Sequence, residues 1–492
     1  MDIEVYVNYF LVSFRNVETG NVRHFEKFQH HPLDRETVRR VVASYCVVTF
    51  NGRNFDMPIL AYALDGASNK QLKEMADKII VGGLKGWQAM DAFGVRDIPG
   101  ADHIDLFDVA PGMASLKIYG GRIHTGKMQD LPIEPHQEIA PEQRELLREY
   151  CGNDLVVTQE LLETLTPQIE LREKMSEQYG QDLRSKSDAQ IAEAVIASQI
   201  ENRTGKRPVR PEVQPGTFRY QPPEFLAGSD EYNALVEWVA GLDFTVEENG
   251  KVVMPDELRG HRHEIAGRKY QMGIGGLHSM EKRAAHIADE NTLVIDRDVA
   301  SYYPAIILNC ELYPSHMGRP FLDVYRTLVD RRLAAKAAGD KVTADSLKIT
   351  VNGSFGKLGS KWSRLYSPQL LIQVTLTGQL ALLMLIEALE MSEAEVVSAN
   401  TDGVVFKVSP DRLDTANEAI GAWEKRTGFT TEESRYSALY SRDVNNYIAL
   451  KSGGAVKLKG AYVPPGLMKN PTNGSLSIAS RPAIGVPTLT CC

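Results

Sequence analysis

The chain has 492 residues, with 55 lysines and arginines against 64 aspartates and glutamates, for a formal net charge of −9. That length suggests three to four domains, and the acidic balance means that any nucleic-acid binding must come from local basic patches and be salt-dependent. The five cysteines (Cys46, Cys151, Cys310, Cys491, Cys492) show no CxxC pair or zinc spacing, no signal peptide is expected, and the most apolar run, Leu380–Ile386, is too short to cross a bilayer.

The chain opens Met1-Asp2-Ile3-Glu4, a DxE pattern expected on a strand. Almost nothing precedes Asp2, so a frayed start is expected to hold it poorly. Val47–Phe50 reads as a strand ending in the polar turn Asn51-Gly-Arg-Asn54-Phe55-Asp56. Glu145–Leu165 reads as a helix carrying Tyr150 and Asp154 four apart on one face. A Ser/Asp cap opens a further helix after Asp182. The proline-rich stretch from Arg207 to Pro215, and then Gln221-Pro-Pro, read as a linker. Gly273-Ile-Gly275-Gly276-Leu-His278 reads equally as a hairpin turn or as backbone that approaches a phosphate.

Thr292–Ile295 is an apolar run of the kind that forms a buried strand. It leads into Asp298-Val299-Ala-Ser301-Tyr-Tyr303-Pro304, bringing a carboxylate, a small hydroxyl and a phenol to one end of a sheet. Two helical stretches follow, Phe321–Lys336 and Ala344–Phe355, split by Gly339-Asp340 into a helical hairpin. Arg332 and Lys336 share a face of the first helix, with Arg331 as the rival register; Lys348 and Asn352 hold the same relation on the second. Leu370–Met391 is expected to be a buried helix, and Ala399-Asn400-Thr401-Asp402-Gly403 lies between apolar residues. Asn446–Leu450 reads as a strand, and in the next one Lys457 and Lys459 fall on one face. No internal repeat is seen.

Three of these segments, Asp298–Pro304, Lys348–Gly356 and Ala399–Gly403, lie in order about fifty residues apart. They resemble motifs A, B and C of family B DNA polymerases. DxE, NxxxFD and YxxxD, also in order, resemble the three motifs of the DEDD-type 3′–5′ exonuclease fused to those enzymes. The resemblance runs from Asp2 to Asn473 and is nearest to compact bacteriophage-type members. It implies an α+β and α/β multidomain fold. An RNase H-like exonuclease domain is expected over 1–165 and a connecting region over 166–285. A right-hand palm with an antiparallel sheet is expected over 286–317 and 361–465, with helical-hairpin fingers over 318–360. The start of a truncated thumb is expected over 466–492.

The resemblance also implies chemistry. Joining a primer 3′-hydroxyl to the α-phosphate of a dNTP builds negative charge on the attacking and leaving oxygens. Two magnesium ions roughly 3.5–4 Å apart, or manganese in their place, would neutralise both. Asp298 and Asp402, on neighbouring palm strands, would be the shared ligands, with the Val299 carbonyl as a third. Ser301 and Tyr303 would lie against the incoming nucleotide, Tyr303 excluding a ribose 2′-hydroxyl. Arg332, Lys336 and Lys348, with Asn352 beside them, would hold the triphosphate. Lys457 and Lys459 would hold primer–template DNA. In the exonuclease, Asp2, Glu4, Asp56 and Asp154 would bind two further metals while Tyr150 orients the attacking water on single-stranded DNA.

Three positions depart from the family pattern. Asn400 replaces the first aspartate of motif C, which weakens the expected metal affinity, and Gly403 and Phe355 stand for Ser and Tyr. The short spacings leave little room for the insertions that grip a terminal protein, so an ordinary nucleic-acid primer is expected, and a processivity partner remains compatible. The implied setting is phage DNA replication in the cytoplasm of an infected bacterium. The competing readings are a catalytically weak nucleic-acid-binding relative and a chain acting mainly as a 3′–5′ exonuclease.

Overall fold

The computed structural model describes residues 1–464 and 466–468. It is a mixed α/β, multidomain structure with antiparallel sheets, and it divides into two compact units.

The first unit comprises Met1–Ser187 together with 466–468. Asp2–Val5, Tyr9–Arg15 and Val22–Phe28 form a three-stranded antiparallel sheet, and Cys46–Thr49 pairs in parallel with Asp102–Asp105. The first strand follows the period of two: Ile3 and Val5 are buried in an apolar cluster, and Asp2 and Glu4 occupy the opposite face. The start is not frayed. Met1 is buried, and its amino group donates to the Val48 carbonyl at 2.8 Å, tying the strand end to its neighbour. The helix expected over Glu145–Leu165 runs from Arg144 to Tyr179, straight through Pro167. A proline usually marks an end, but the buried stripe Leu161, Leu165, Ile169 continues past it into the cluster around Ile104 and Leu106. Gly180, with φ +63°, closes the helix.

The second unit is described over Asp188–Pro464. Its centre is a ten-stranded antiparallel sheet. The Asp298 strand (Leu293–Val299) lies in the middle, between Gly403–Val408 and Thr431–Asp443. Beyond Thr431–Asp443 come Asn446–Lys451 and Val456–Leu458. On the other side, Glu395–Asn400 leads to His278–Ser279, Arg268–Gln271 and His263–Ile265. The stretch expected only to connect domains therefore supplies three sheet strands. They are two to four residues long, too short for a hydrophobic period to be read. Between the two proline-rich stretches the chain is also a strand, Gly216–Arg219, paired with Asp243–Val246.

The buried helix expected over Leu370–Met391 spans Pro368–Met391, and by length and composition it could cross a bilayer. Here 89% of its most apolar window is buried within the protein, so it is a core helix. The helical hairpin forms from Arg319–Ala337 and Lys341–Leu358. Gly339 turns the chain at φ +72°, and the Asp340 carboxylate caps the second helix by accepting from the Thr343 amide at 3.1 Å. Helix Asp188–Thr204 packs on that second helix so closely that a Cβ at Gly353 would lie 2.7 Å from the Asp188 carbonyl oxygen. Of the span expected to open a thumb, 466–468 lies against the first unit, where the Leu467 carbonyl accepts from Arg122 at 2.6 Å. The rest of 466–492 lies outside the described residues.

Candidate active sites

In the second unit the Asp298 strand ends beside the tight turn that carries Asp402. Asp298 pairs with Gly403, and the Val299 amide donates to the Asp402 carbonyl at 2.6 Å. Asp402 is thus in the turn between two strands rather than on a strand, with Thr401 at φ +49°. A Cβ at Gly403 would lie 2.3 Å from Asp298 Oδ1, so the glycine leaves that carboxylate its room. Loss of solvent and the neighbouring Asp296 push the Asp298 carboxyl upward against Lys457; loss of solvent also raises Asp402, against Lys459 and Lys457.

The hairpin reaches this site. Ser301, in the left-handed region at φ +50°, sits at the head of helix Tyr302–Asn309, and its hydroxyl accepts from Arg332 Nη1 at 2.7 Å. Arg331 is exposed, which favours the Arg332 register. Lys336 pairs with Glu432 at 3.1 Å, both side chains well exposed. Lys348 and Asn352 are exposed and have no partner among the described residues. Tyr303 stacks on Phe355 with ring centroids 4.1 Å apart, and its hydroxyl donates to the Gly275 carbonyl at 3.1 Å. The glycine segment is therefore a turn between two strands, and it lies against this site. Gln379 brackets Gly273 through two hydrogen bonds, and a Cβ at Gly276 would lie 2.8 Å from the Thr401 hydroxyl.

Asp296 is the residue missed by the sequence reading. It is buried, accepts from the Tyr436 hydroxyl, and pairs with Lys457 at 3.1 Å. Lys457, expected to face DNA phosphates, is thus an internal partner of two strand carboxylates, lying 3.7 Å from Asp298. The strand period was the available signal, since 296 and 298 share a face. Lys459 packs its ammonium over the Tyr447 ring, 5.6 Å from its centroid. Asn400 donates to the Val444 carbonyl at 3.2 Å, a structural bond.

In the first unit Asp2 and Glu4 project from one strand face, and Asp56 opens helix Asp56–Leu64. Tyr150 and Asp154 come from the long helix, where burial raises the carboxyl of Asp154 and Tyr150 works against that rise. Burial and then Asp154 push the Asp2 carboxyl up to about 6, although the Cys151 thiol donates to it at 3.3 Å. Burial followed by Asp2 raises both Glu4 and Asp56 well above the usual range. Two residues were overlooked here. Asp105 accepts from the Asn51, Arg53 and Phe107 amides at 2.7, 2.8 and 3.0 Å, which shapes the turn before Asp56. Lys117 lies 5.7 Å from the Tyr150 ring centroid and partly opposes the upward shift of Glu4.

Among the described residues no three acidic, histidine or cysteine side chains converge as a ready-made metal cage. The chemistry of the donors nonetheless fits hard divalent cations. Oxygen ligands dominate, the carboxylates repel one another, and magnesium keeps waters of its own and needs only one or two protein carboxylates.

No protein-family model matches the sequence, and no curated protein matches it. Among solved structures, the family B DNA polymerase of the hyperthermophilic archaeon Pyrobaculum calidifontis aligns with a TM-score of 0.45 and 17% identity, over 93% of this chain and 59% of that one. This chain thus spans less than two thirds of that polymerase's length, and a likeness of this size says nothing of reaction or substrate.

Proposed function

We propose that the chain is a template-directed DNA polymerase of the family B kind, with a 3′–5′ exonuclease in its first unit. The observation that carries this reading is the adjacency of Asp298 and Asp402, two motif carboxylates about a hundred residues apart in sequence, joined through the 2.6 Å bond between Val299 and Asp402. A nuclease alone has no use for the second feature, a hairpin whose Arg332 reaches the same strand end through Ser301.

In this proposal Asp298, Asp402 and the Val299 carbonyl hold divalent ions, which when bound supply charge neutralisation for the attacking and leaving oxygens. The chain's own residues bind and orient. Arg332 and Lys348 grip the triphosphate, with Asn352 beside them, and Lys336 joins once it leaves Glu432. Tyr303, pinned by Phe355 and Gly275, lies under the sugar and selects dNTPs. Lys459 faces primer–template phosphate. The first unit is read as an RNase H-like nuclease in which Asp2, Glu4, Asp56 and Asp154 hold metal and Tyr150 orients the attacking water. The phage setting in an infected cell's cytoplasm rests on the motif resemblance alone.

The test is extension of a primed template with magnesium and dNTPs, beside a lane without dNTPs that reports degradation. Asp298→Ala and Asp402→Ala are each expected to lower extension at least ~10³-fold by removing a metal ligand. Asp56→Ala or Asp154→Ala is expected to abolish shortening and spare extension. Near-normal extension by Asp402→Ala would overturn the polymerase assignment, and shortening without any extension would favour the nuclease reading.

A further inference from the structure

A surface of the second unit, formed by residues not assigned above, combines an exposed indole with unpaired cations. Trp362 lies in the segment joining the hairpin's second helix, ending at Leu358, to the buried helix that begins at Pro368. The segment is firmly held. His316 hydrogen-bonds the Arg364 carbonyl at 2.7 Å, the Arg364 amide donates to Glu193 at 3.0 Å, and the Tyr366 hydroxyl donates to the Gly250 carbonyl at 2.8 Å. Ser363 and Leu365 are fully buried, while Trp362 is 71% exposed. A fixed backbone therefore presents a large aromatic ring to water.

Two cations lie on that ring. The Arg210 guanidinium is 5.2 Å and the Lys361 ammonium 5.1 Å from the ring centroid. Neither forms an ion pair or hydrogen bond among the described residues. Arg207 and Arg364 border the same recess of about 350 Å³, and their charges are met by Glu201 and Glu193 at 3.5 Å. Glu193 also lines the recess, paired with Arg364, so Arg210 and Lys361 are left as two cations without acidic partners around an exposed indole.

An aromatic face with flanking arginine and lysine is how proteins hold unpaired strands, because every base offers a π-face and every nucleotide a phosphate. We propose that Trp362, Arg210 and Lys361 form a stacking platform for single-stranded nucleic acid. The strand assigned to it, the unpaired template, rests on the polymerase function proposed above; the binding itself does not. Base stacking on Trp362 accounts for the ring's exposure, and the free cations account for phosphate contact.

The test uses the full chain with Trp87→Phe, since Trp87 is the other strongly exposed indole, at 70%. Titration with an oligothymidylate is expected to quench the remaining tryptophan fluorescence. Trp362→Ala is expected to weaken binding about tenfold or more, as loss of one base stack predicts. Arg210→Ala and Lys361→Ala are each expected to flatten the salt dependence by roughly 0.7 in the logarithmic slope. Unchanged oligothymidylate affinity in a folded Trp362→Ala protein would overturn the platform. So would equal quenching by polyphosphate, which has no bases, or quenching only by an acidic peptide. The template assignment is read separately. Trp362→Ala should slow extension on templates with a long unpaired overhang and spare those with a single unpaired nucleotide. If the unmodified chain quenches with oligothymidylate but extends no primer, the platform stands and the polymerase reading fails.

Discussion

Lys457 Nζ lies 3.1 Å from Asp296 and 3.7 Å from Asp298, so one ammonium bridges two carboxylates that share a strand face. The Tyr436 hydroxyl completes the contact with Asp296. Burial is the largest single influence and would lower the lysine's pKa, but Asp296, Tyr447, Asp298 and Tyr436 together outweigh it and hold Lys457 charged. The ion pair thus fixes a cation beside the strand end where Asp298 and Asp402 meet.

This relationship predicts the effect of Asp296→Asn. The amide keeps the size but loses the charge, leaving Lys457 and Tyr436 with a weaker partner in a half-buried setting. A charge-assisted hydrogen bond of this kind contributes about 2 kcal/mol. Chemical denaturation should show a loss of that order. A loss below a few tenths would mean the pair behaves as an ordinary surface bridge.

For the hairpin, Arg332→Ala should raise the apparent KM for dNTP about tenfold or more, with primer–template affinity little changed, since a guanidinium–phosphate contact is charge-assisted. Lys348→Ala should act in the same direction. Arg331→Ala should be nearly silent, because Arg331 faces solvent while Arg332 bonds Ser301. A severe Arg331→Ala beside a silent Arg332→Ala would move the triphosphate grip by one residue.

Sugar selection should follow Tyr303. Its ring is held by stacking on Phe355 and its hydroxyl by Gly275, so it cannot swing aside without losing both contacts. Tyr303→Val should admit ribonucleotides, and Phe355→Ala should do so to a smaller degree by loosening the ring. Competition between dNTP and rNTP in single-nucleotide extension measures this. An unchanged ratio in Tyr303→Val would remove the gate from Tyr303.

Long elements were legible in the sequence and short ones were not. The hairpin stood out by its i, i+4 spacings and its Gly-Asp break, and the buried helix and the Asp298 strand by continuous apolar runs. The strands from His263 to Ser279 offer neither signal; they pair with one another and join the rest of the sheet through the distant pairing of His278 with Asn400. Site residues within motifs could be picked out by residue type and order. Asp296 and Asp105 escaped because their roles depend on partners more than fifty positions away, Lys457 for one and the Asn51–Arg53 amides for the other. The long helix outran its expected end at Leu165 for a related reason: buried packing on both sides of Pro167 keeps it going despite a residue that locally argues for an end.

The crowded carboxylates of the first unit make stability depend on pH in a way that one substitution isolates. Burial, then Asp2, raises Asp56 well above its ordinary value, so the folded chain keeps a proton there that the unfolded chain has already released. Without metal, this group's contribution to stability therefore falls as pH rises from about 4 towards the raised folded value. Asp56→Asn removes the buried charge at every pH. The substitution should stabilise the metal-free protein at pH 7.5, and the gain should shrink as pH is lowered to 5, where the native carboxyl is increasingly protonated. Comparing the two proteins at each pH cancels the buried His263 and the half-buried His103 and His286, whose lowered values give the opposite trend in both. Adding magnesium at pH 7.5 should narrow the difference by stabilising only the protein that retains the carboxylate. Equal gains at pH 5 and 7.5 would show that Asp56 is not held in its acid form, and would weaken the case that this cluster awaits a cation.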